Sequence, residues 1–298
     1  ALTTGDSNVA IGWEALKTED THANNVAIGH AALTTQNAGA DAYNVAVGYN
    51  AGTAVTTGTN NTLIGGLAGD AISTGSSNTA LGKGSLSAAI TASGNVAVGW
   101  NALSDDTEGS TSTAIGYQAL STQNFATATD SFNTAIGYNT GSLITTGIHN
   151  TLVGSNAGDA ITTGSYNFAA GSGALGTNIL GSACVAIGHS ALATQNYSTA
   201  TNAFNVAVGH EAGAAVTTGI NNTLIGALAG DALNTGSNNV GVGHNALSAS
   251  DVGVSNVAVG FHALVADTKG SKNTAIGQGA LGTQNFTTAT DSFNTAVG

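Results

Sequence analysis

With 298 residues, 43 glycines, no proline, no methionine and only 7% charged side chains, the chain departs from ordinary soluble domains, where about 25% of residues are charged. A hydrophobic fraction of 42% excludes a disordered tail, and a net charge of −12 with just Lys17, Lys83, Lys269 and Lys272 as basic residues excludes the basic stripe that nucleic-acid binding needs. There is no apolar run of about eighteen residues and no signal-peptide pattern, so no membrane insertion is expected of this segment, and the single Cys184 allows neither a disulfide framework nor a paired-cysteine metal cluster.

The first predicted element is the block Asn8-Val9-Ala10-Ile11-Gly12. It returns as Asn25-Val26-Ala27-Ile28-Gly29 and Asn61-Thr62-Leu63-Ile64-Gly65, and continues through Asn133-Thr134-Ala135-Ile136-Gly137 to Asn256-Val257-Ala258-Val259-Gly260. The closing glycine marks the register: Gly12, 29, 48, 65, 82, 99, 116, 137, 154, 171, 188, 209, 226, 243, 260, 277 and 298. Most steps are 17 residues, with one of 19 and three of 21. A fixed period with length changes at one phase is the signature of a solenoid, in which the coil path is constant and one corner can be enlarged. The expected fold is all-β, a parallel β-solenoid or β-roll of about 17-residue coils, forming one continuous array over residues 1–298.

Each block reads as a short strand followed by a glycine turn. A second short segment follows, as in Trp13-Glu14-Ala15-Leu16, Tyr117-Gln118-Ala119-Leu120 and His244-Asn245-Ala246-Leu247, which predicts a flattened two-sided roll. Corners are marked by Thr57-Gly58, Thr74-Gly75, Thr146-Gly147, Thr163-Gly164, Thr218-Gly219 and Thr235-Gly236, where glycine supplies φ > 0.

The residue that opens the block is asparagine in nearly every coil: Asn8, Asn25, Asn44, Asn61, Asn78, Asn95, Asn133, Asn150, Asn167, Asn205, Asn222, Asn239, Asn256, Asn273 and Asn294, with Ser112 and Cys184 as the exceptions. Equal phases of stacked coils lie about 4.8 Å apart, so this column reads as a structural amide ladder, with Cys184 a small buried substitute within it. An amide array reading a glycan is the alternative, and it requires an exposed column.

Alternation sends Val and Ile of the block to one face and Ala to the other. A lone solenoid needs only its inner face apolar, so the second column, Ala with occasional Leu63, Leu152 and Leu224, is expected to be covered by another copy of the chain.

The longer coils carry an insert, Gln123 to Phe132, repeated as Gln195 to Phe204 and Gln284 to Phe293, with a shorter relative from Gln36 to Tyr43. These coils close super-repeats at Gly48, Gly137, Gly209 and Gly298. Phe125, Phe132, Tyr197, Phe204, Phe286 and Phe293 are candidate receptor or inter-chain contacts, since function concentrates on loops over a rigid scaffold. The plainer reading pins the insert to the shaft through its paired aromatics.

The Asn-Val-Ala-Ile-Gly and Asn-Thr-Ala-Ile-Gly-Tyr-Gln-Ala-Leu blocks resemble the YadA-type head repeats of trimeric adhesins, and still more the related repeats in long tail fibres of phages. The resemblance runs from Asn8 to Gly298. It implies a left-handed β-roll, a homotrimeric fibre, and attachment to a cell-surface receptor or glycan from an extracellular position, on a virion tail fibre or a bacterial cell surface. The coils here, at 17 and 21 residues, are longer than the compact adhesin-head coil.

No catalytic, cofactor or metal site is expected. A glycan-cleaving site needs two carboxylates about 5 to 9.5 Å apart in a cleft, whereas Asp251 with Asp267, and Asp105, Asp106 and Glu108, read as solvated corners. Asp70, Asp159 and Asp231 share a phase but stand four or five coils apart, so they cannot share an ion within one chain. His30, His189, His210 and His244 follow the marker glycine, a position also held by Trp13, Tyr49, Trp100 and Phe261, so the position wants a flat ring.

The leading functional reading is therefore a structural and adhesive fibre segment of a phage tail fibre. The head of a bacterial trimeric autotransporter adhesin is the alternative, and an ice-binding solenoid a distant one, because the Thr56-Thr57 and Thr145-Thr146 corners do not form an unbroken array. Ala1-Leu2 matches the end of a second segment and Gly298 closes a block, so the sequence reads as a piece of a longer repeat array.

Overall fold

A computed structural model describes residues 5–19 and 23–298; the Ala1-Leu2 segment lies outside them. The chain forms two units, residues 1–149 and 150–298. Each is a parallel β-solenoid, and among the described residues there is no helix, hence none long and apolar enough to cross a membrane.

In the first unit the main sheet contains eight three-residue strands, from Val9–Ile11 to Thr134–Ile136. Each pairs in parallel with the next coil at the same phase, as in Val45↔Thr62, Ala46↔Leu63 and Val47↔Ile64. The second unit repeats this with nine strands, Thr151–Val153 to Thr295–Val297. The register is exact across enlarged coils too: Val185–Ile187 pairs with Val206–Val208 residue for residue. The inserts pair with the Gly-Ser corner of the preceding 17-residue coil in separate small ladders, Gly109–Ser110 with Thr129–Asp130, Gly181–Ser182 with Thr201–Asn202, and Gly270–Ser271 with Thr290–Asp291.

Three expectations need correction. The Thr-Gly corner glycines Gly58, Gly75, Gly164, Gly219 and Gly236 are not left-handed; close stacking requires them, a methyl group on Gly58 lying 2.3 Å from the Gly75 oxygen. The second side of the predicted two-sided roll carries no strand among the described residues. Two and four residues after the marker glycine the backbone is left-handed, as at Asn50 (φ 54°) and Gly52 (φ 58°), or Asn101 (φ 51°) and Leu103 (φ 52°). These alternating turns still bond from coil to coil: Asn50 N–H donates to the His30 carbonyl and Leu33 N–H to that of Ala51. The marker glycine is required on two counts. Gly65 has φ 139°, and a methyl group there would lie 2.5 Å from the Gly82 carbonyl oxygen.

The strand faces are also the reverse of the expectation. The central Ala or Leu of each strand points inward, with Ala27, Ala46, Leu63, Ala80 and Leu224 wholly buried within the chain. The flanking Val, Thr and Ile point outward. The reason is thickness. The central residue faces the buried leucine four residues after the marker glycine, and the space between them holds one large side chain. Gly241, at the strand centre, would place a methyl group 3.3 Å from both Leu224 and Leu247.

Candidate interaction surfaces

The asparagine column is interior. Asn25, Asn44, Asn61, Asn78, Asn95, Asn150, Asn205, Asn222, Asn239, Asn256 and Asn273 are wholly buried, and Asn133 and Asn167 nearly so. Within each unit, Oδ1 accepts the backbone N–H of the next column residue, as from Asn78 to Asn61 (3.0 Å) and from Asn25 to Asn8 (2.9 Å). In most of the column Nδ2 donates to the carbonyl of the corner fourteen residues on, as Asn61 to Gly75 (2.9 Å) and Asn150 to Gly164 (2.9 Å), whereas Asn25 donates to the Ala23 carbonyl and Asn273 to Asn256 Oδ1. Direct amide-to-amide bonds occur in part of the column, such as Asn222 to Asn205 at 3.2 Å. At the end of the column, exposed Asn294 donates its N–H to Asn273 Oδ1 (3.1 Å). A glycan could not reach the buried members.

Seven residues after the marker glycine stands a residue whose role is not evident from the repeat alone. In the enlarged coils it is glutamine, and its Oε1 accepts from the next column asparagine: Gln36 from Asn44 (2.7 Å), Gln123 from Asn133 (2.8 Å), Gln195 from Asn205 (2.9 Å) and Gln284 from Asn294 (2.6 Å). Gln123 Nε2 also donates to Ser112 Oγ, and Gln195 Nε2 to Cys184 Sγ (3.1 Å), so the glutamine amide occupies the room left where the column lacks asparagine. Burial pushes the Cys184 thiol above its usual range. The recurrence of Gln at the head of each insert was the available signal.

Asp106 and Asp267 occupy the same phase and are buried, which corrects their reading as solvated corners. Asp106 accepts from Gly109 N–H (2.9 Å) and from Gln123, and Asp267 from Gly270 N–H (2.9 Å), Gln284 (2.6 Å) and Phe286 N–H (3.1 Å). Burial raises the Asp106 carboxyl above the usual carboxylate range, with those donors opposing the shift. Asp70, Asp159 and Asp231 are raised for the same reason, burial first.

The insert aromatics divide by position. Phe125 and Tyr197 are buried under the corner, Tyr197 Oη donating to the Gly219 carbonyl (2.8 Å) and standing 3.3 Å from Asn205 Nδ2. Burial raises the Tyr197 phenol above its ordinary range. Phe286 is half-buried. Phe132, Phe204 and Phe293 instead face solvent at 50%, 56% and 67% exposure. They hold left-handed φ of 49–52°. Phe132 stacks on His149 at 5.2 Å, and Lys272 Nζ lies 4.9 Å from the Phe293 ring.

A second aromatic column runs along the marker corner. Trp100, Tyr117 and Tyr138 stack at 4.8 and 5.2 Å, His30 stacks on Tyr49, and His189 on His210, at 5.2 Å each, and His244 on Phe261 at 5.6 Å. These rings are exposed, with their faces against one another. The sequence reading of a position that wants a flat ring thus lands on an outward stack of rings.

In each unit the outward strand face is an exposed apolar column. Ile64, Ile136, Ile225 and Ile276 are 36–41% exposed, and Phe168 and Val153 are similar. No protein-family model matches the chain, and no curated protein matches it.

Proposed function

We propose that this chain is a segment of a homotrimeric extracellular fibre, a phage tail fibre shaft or head, that acts in host-cell attachment by contact rather than by catalysis. The observation that carries the reading is the outward Val/Thr–x–Ile/Val column, repeated at one phase in coil after coil and almost free of charge. Contiguous exposed apolar surface of this kind marks an association site. A partner that matches it in every coil must share its period, and another copy of the chain does so by construction. The exposed Phe132, Phe204 and Phe293 corners then supply repeated points for receptor, glycan or inter-chain contact.

Light scattering on the purified chain tests the assembly: a mass three times 28.8 kDa is expected, and a monomer at micromolar concentration would sink it. Attachment is tested separately by binding of the labelled chain to bacterial surface polysaccharides. Binding is expected to fall when Phe132, Phe204 and Phe293 are changed together to serine.

A further inference from the structure

We infer that His189, His210 and Glu211 form a transition-metal site, fitted to Zn²⁺ and to the other borderline divalent ions that imidazole favours. The three donor atoms lie within 4.8 Å of one another, and this is the one such group among the described residues. The sites elsewhere on the marker corner lack part of the set: His30 pairs with Tyr49, and His244 with Phe261.

The backbone holds the three in place. His189 and His210 each follow a marker glycine, Gly188 and Gly209, whose backbones touch so closely that a methyl group on Gly188 would lie 2.3 Å from the Gly209 oxygen. Glu211 N–H donates to the His189 carbonyl at 2.9 Å, which ties the carboxylate-bearing residue to the coil of the first histidine. The side chains, by contrast, are exposed and can turn. The imidazoles stand face to face, 5.2 Å between centroids and 14° between planes. In that pose their in-plane lone pairs run side by side. A rotation about the Cβ–Cγ bonds, a soft torsion, converges the two ring nitrogens on a point beside Glu211, whose Oε1 is already 3.7 Å from His210 Nε2. Zn–N and Zn–O bonds of about 2.0–2.2 Å then place the donors roughly 3.3–3.5 Å apart, within reach of the present spacing. Two neutral imidazoles and one carboxylate suit Zn²⁺, Ni²⁺ or Cu²⁺, whereas Ca²⁺ demands six to eight oxygens. Water completes the shell, and the chain's net charge of −12 favours cation approach.

Titration calorimetry of the whole chain with Zn²⁺ tests the site. One ion per chain is expected, with His189→Phe and His210→Phe each weakening binding at least about tenfold, or ~1.4 kcal/mol. Phenylalanine stands at this phase in Phe261, so both variants retain the ring column. Glu211→Gln, which leaves both rings untouched, is expected to weaken binding as well, and His244→Phe to leave it unchanged. A parent chain that takes up no Zn²⁺, undiminished binding in the His189→Phe/His210→Phe double variant, or a preference for Ca²⁺ would each overturn the assignment.

Discussion

At the scale of single residues, the interior is held by side chains that serve the backbone. Asn78 accepts the Asn95 N–H at 3.0 Å and donates to the Ala92 carbonyl at 2.8 Å, so one buried amide satisfies two groups that no strand reaches. Leaving such groups unpaired costs about 1–3 kcal/mol each, which explains why so polar a residue recurs inside so thin a core. Asp106 tests the same economy with a charge. Its carboxyl pKa is raised by burial, so the folded chain binds a proton more readily than the unfolded chain does. Its contribution to stability is therefore most favourable below the ordinary carboxylate pKa, and is lost as pH rises through the elevated folded value. Asn178 holds the same phase with an uncharged side chain and accepts the Gly181 N–H at 2.9 Å, as Asp106 accepts that of Gly109. Asp106→Asn is thus expected to be more stable than the parent at pH 7 to 8, with the difference shrinking as pH falls towards 4. Denaturant midpoints measured across that range check this, and a difference that grows on acidification would contradict it.

At the scale of the coil, packing follows a rule of conserved volume. Where the strand centre is alanine, leucine stands four residues after the marker glycine, except in the Ala46, Ala135 and Ala207 coils, which precede a leucine-centred coil; where the centre is Leu63, glycines stand at that position in its own coil and in the one before. A methyl group on Gly69 would lie 2.8 Å from Leu63 Cδ2 and 2.7 Å from Ile72 Cδ1, and one on Gly52 would lie 2.7 Å from Leu63 Cδ1. Leucine at this phase accepts a left-handed backbone, φ 54° at Leu86, a strain of about 1–3 kcal/mol that burial of its side chain, about 1.5–3 kcal/mol, offsets. Leu63→Ala should cost about 2–5 kcal/mol through its cavity. Gly69→Leu should cost about 1–3 kcal/mol through overpacking. The triple change Leu63→Ala, Gly69→Leu, Ile72→Ala reproduces the pattern of Ala80, Leu86 and Ala89, and should lose at least about 1 kcal/mol less than the sum of its single changes. Chemical denaturation of the four variants checks the coupling.

That rule also accounts for what could be read from the repeat. The strand block, its register and the ladder phase follow from a period of 17 and the Asn-x-x-x-Gly spacing, because equal phases must stack. The direction of the faces does not follow, since a period of two yields two faces without saying which is inside. The deciding signal was the pairing of Leu63 with Gly69, Leu152 with Gly158, and Leu224 with Gly230, a correlation that only contact across a core explains. The second segment is legible at its phase, but its left-handed backbone is not. Leucine and alanine favour no left-handed backbone locally, and only the coil-to-coil bonds of Ala31 and Leu33 reveal it. The insert aromatics were found as a set, but their division into buried Phe125 and exposed Phe132 depends on the corner path.

At the scale of the whole molecule, inner and outer faces differ by one position along a strand, and that makes assembly separable from folding. Leu224 is wholly buried while its neighbour Ile225 is 40% exposed. Lysine at Leu224 would carry a charge into the apolar core, at several kcal/mol, and should disrupt the local coil. Lysines at Ile187, Ile225 and Ile276 point to solvent in the single chain and should leave its β-sheet circular dichroism intact. In a trimer closed over the strand face, however, they bring like charges together where apolar contact is needed. The expected outcome is a folded monomer from the triple lysine variant and a trimer from the parent, read by light scattering at matched concentrations. A variant that stays trimeric would move the interface to the aromatic corners, and the Phe132, Phe204 and Phe293 serine variant would then be the one to lose association.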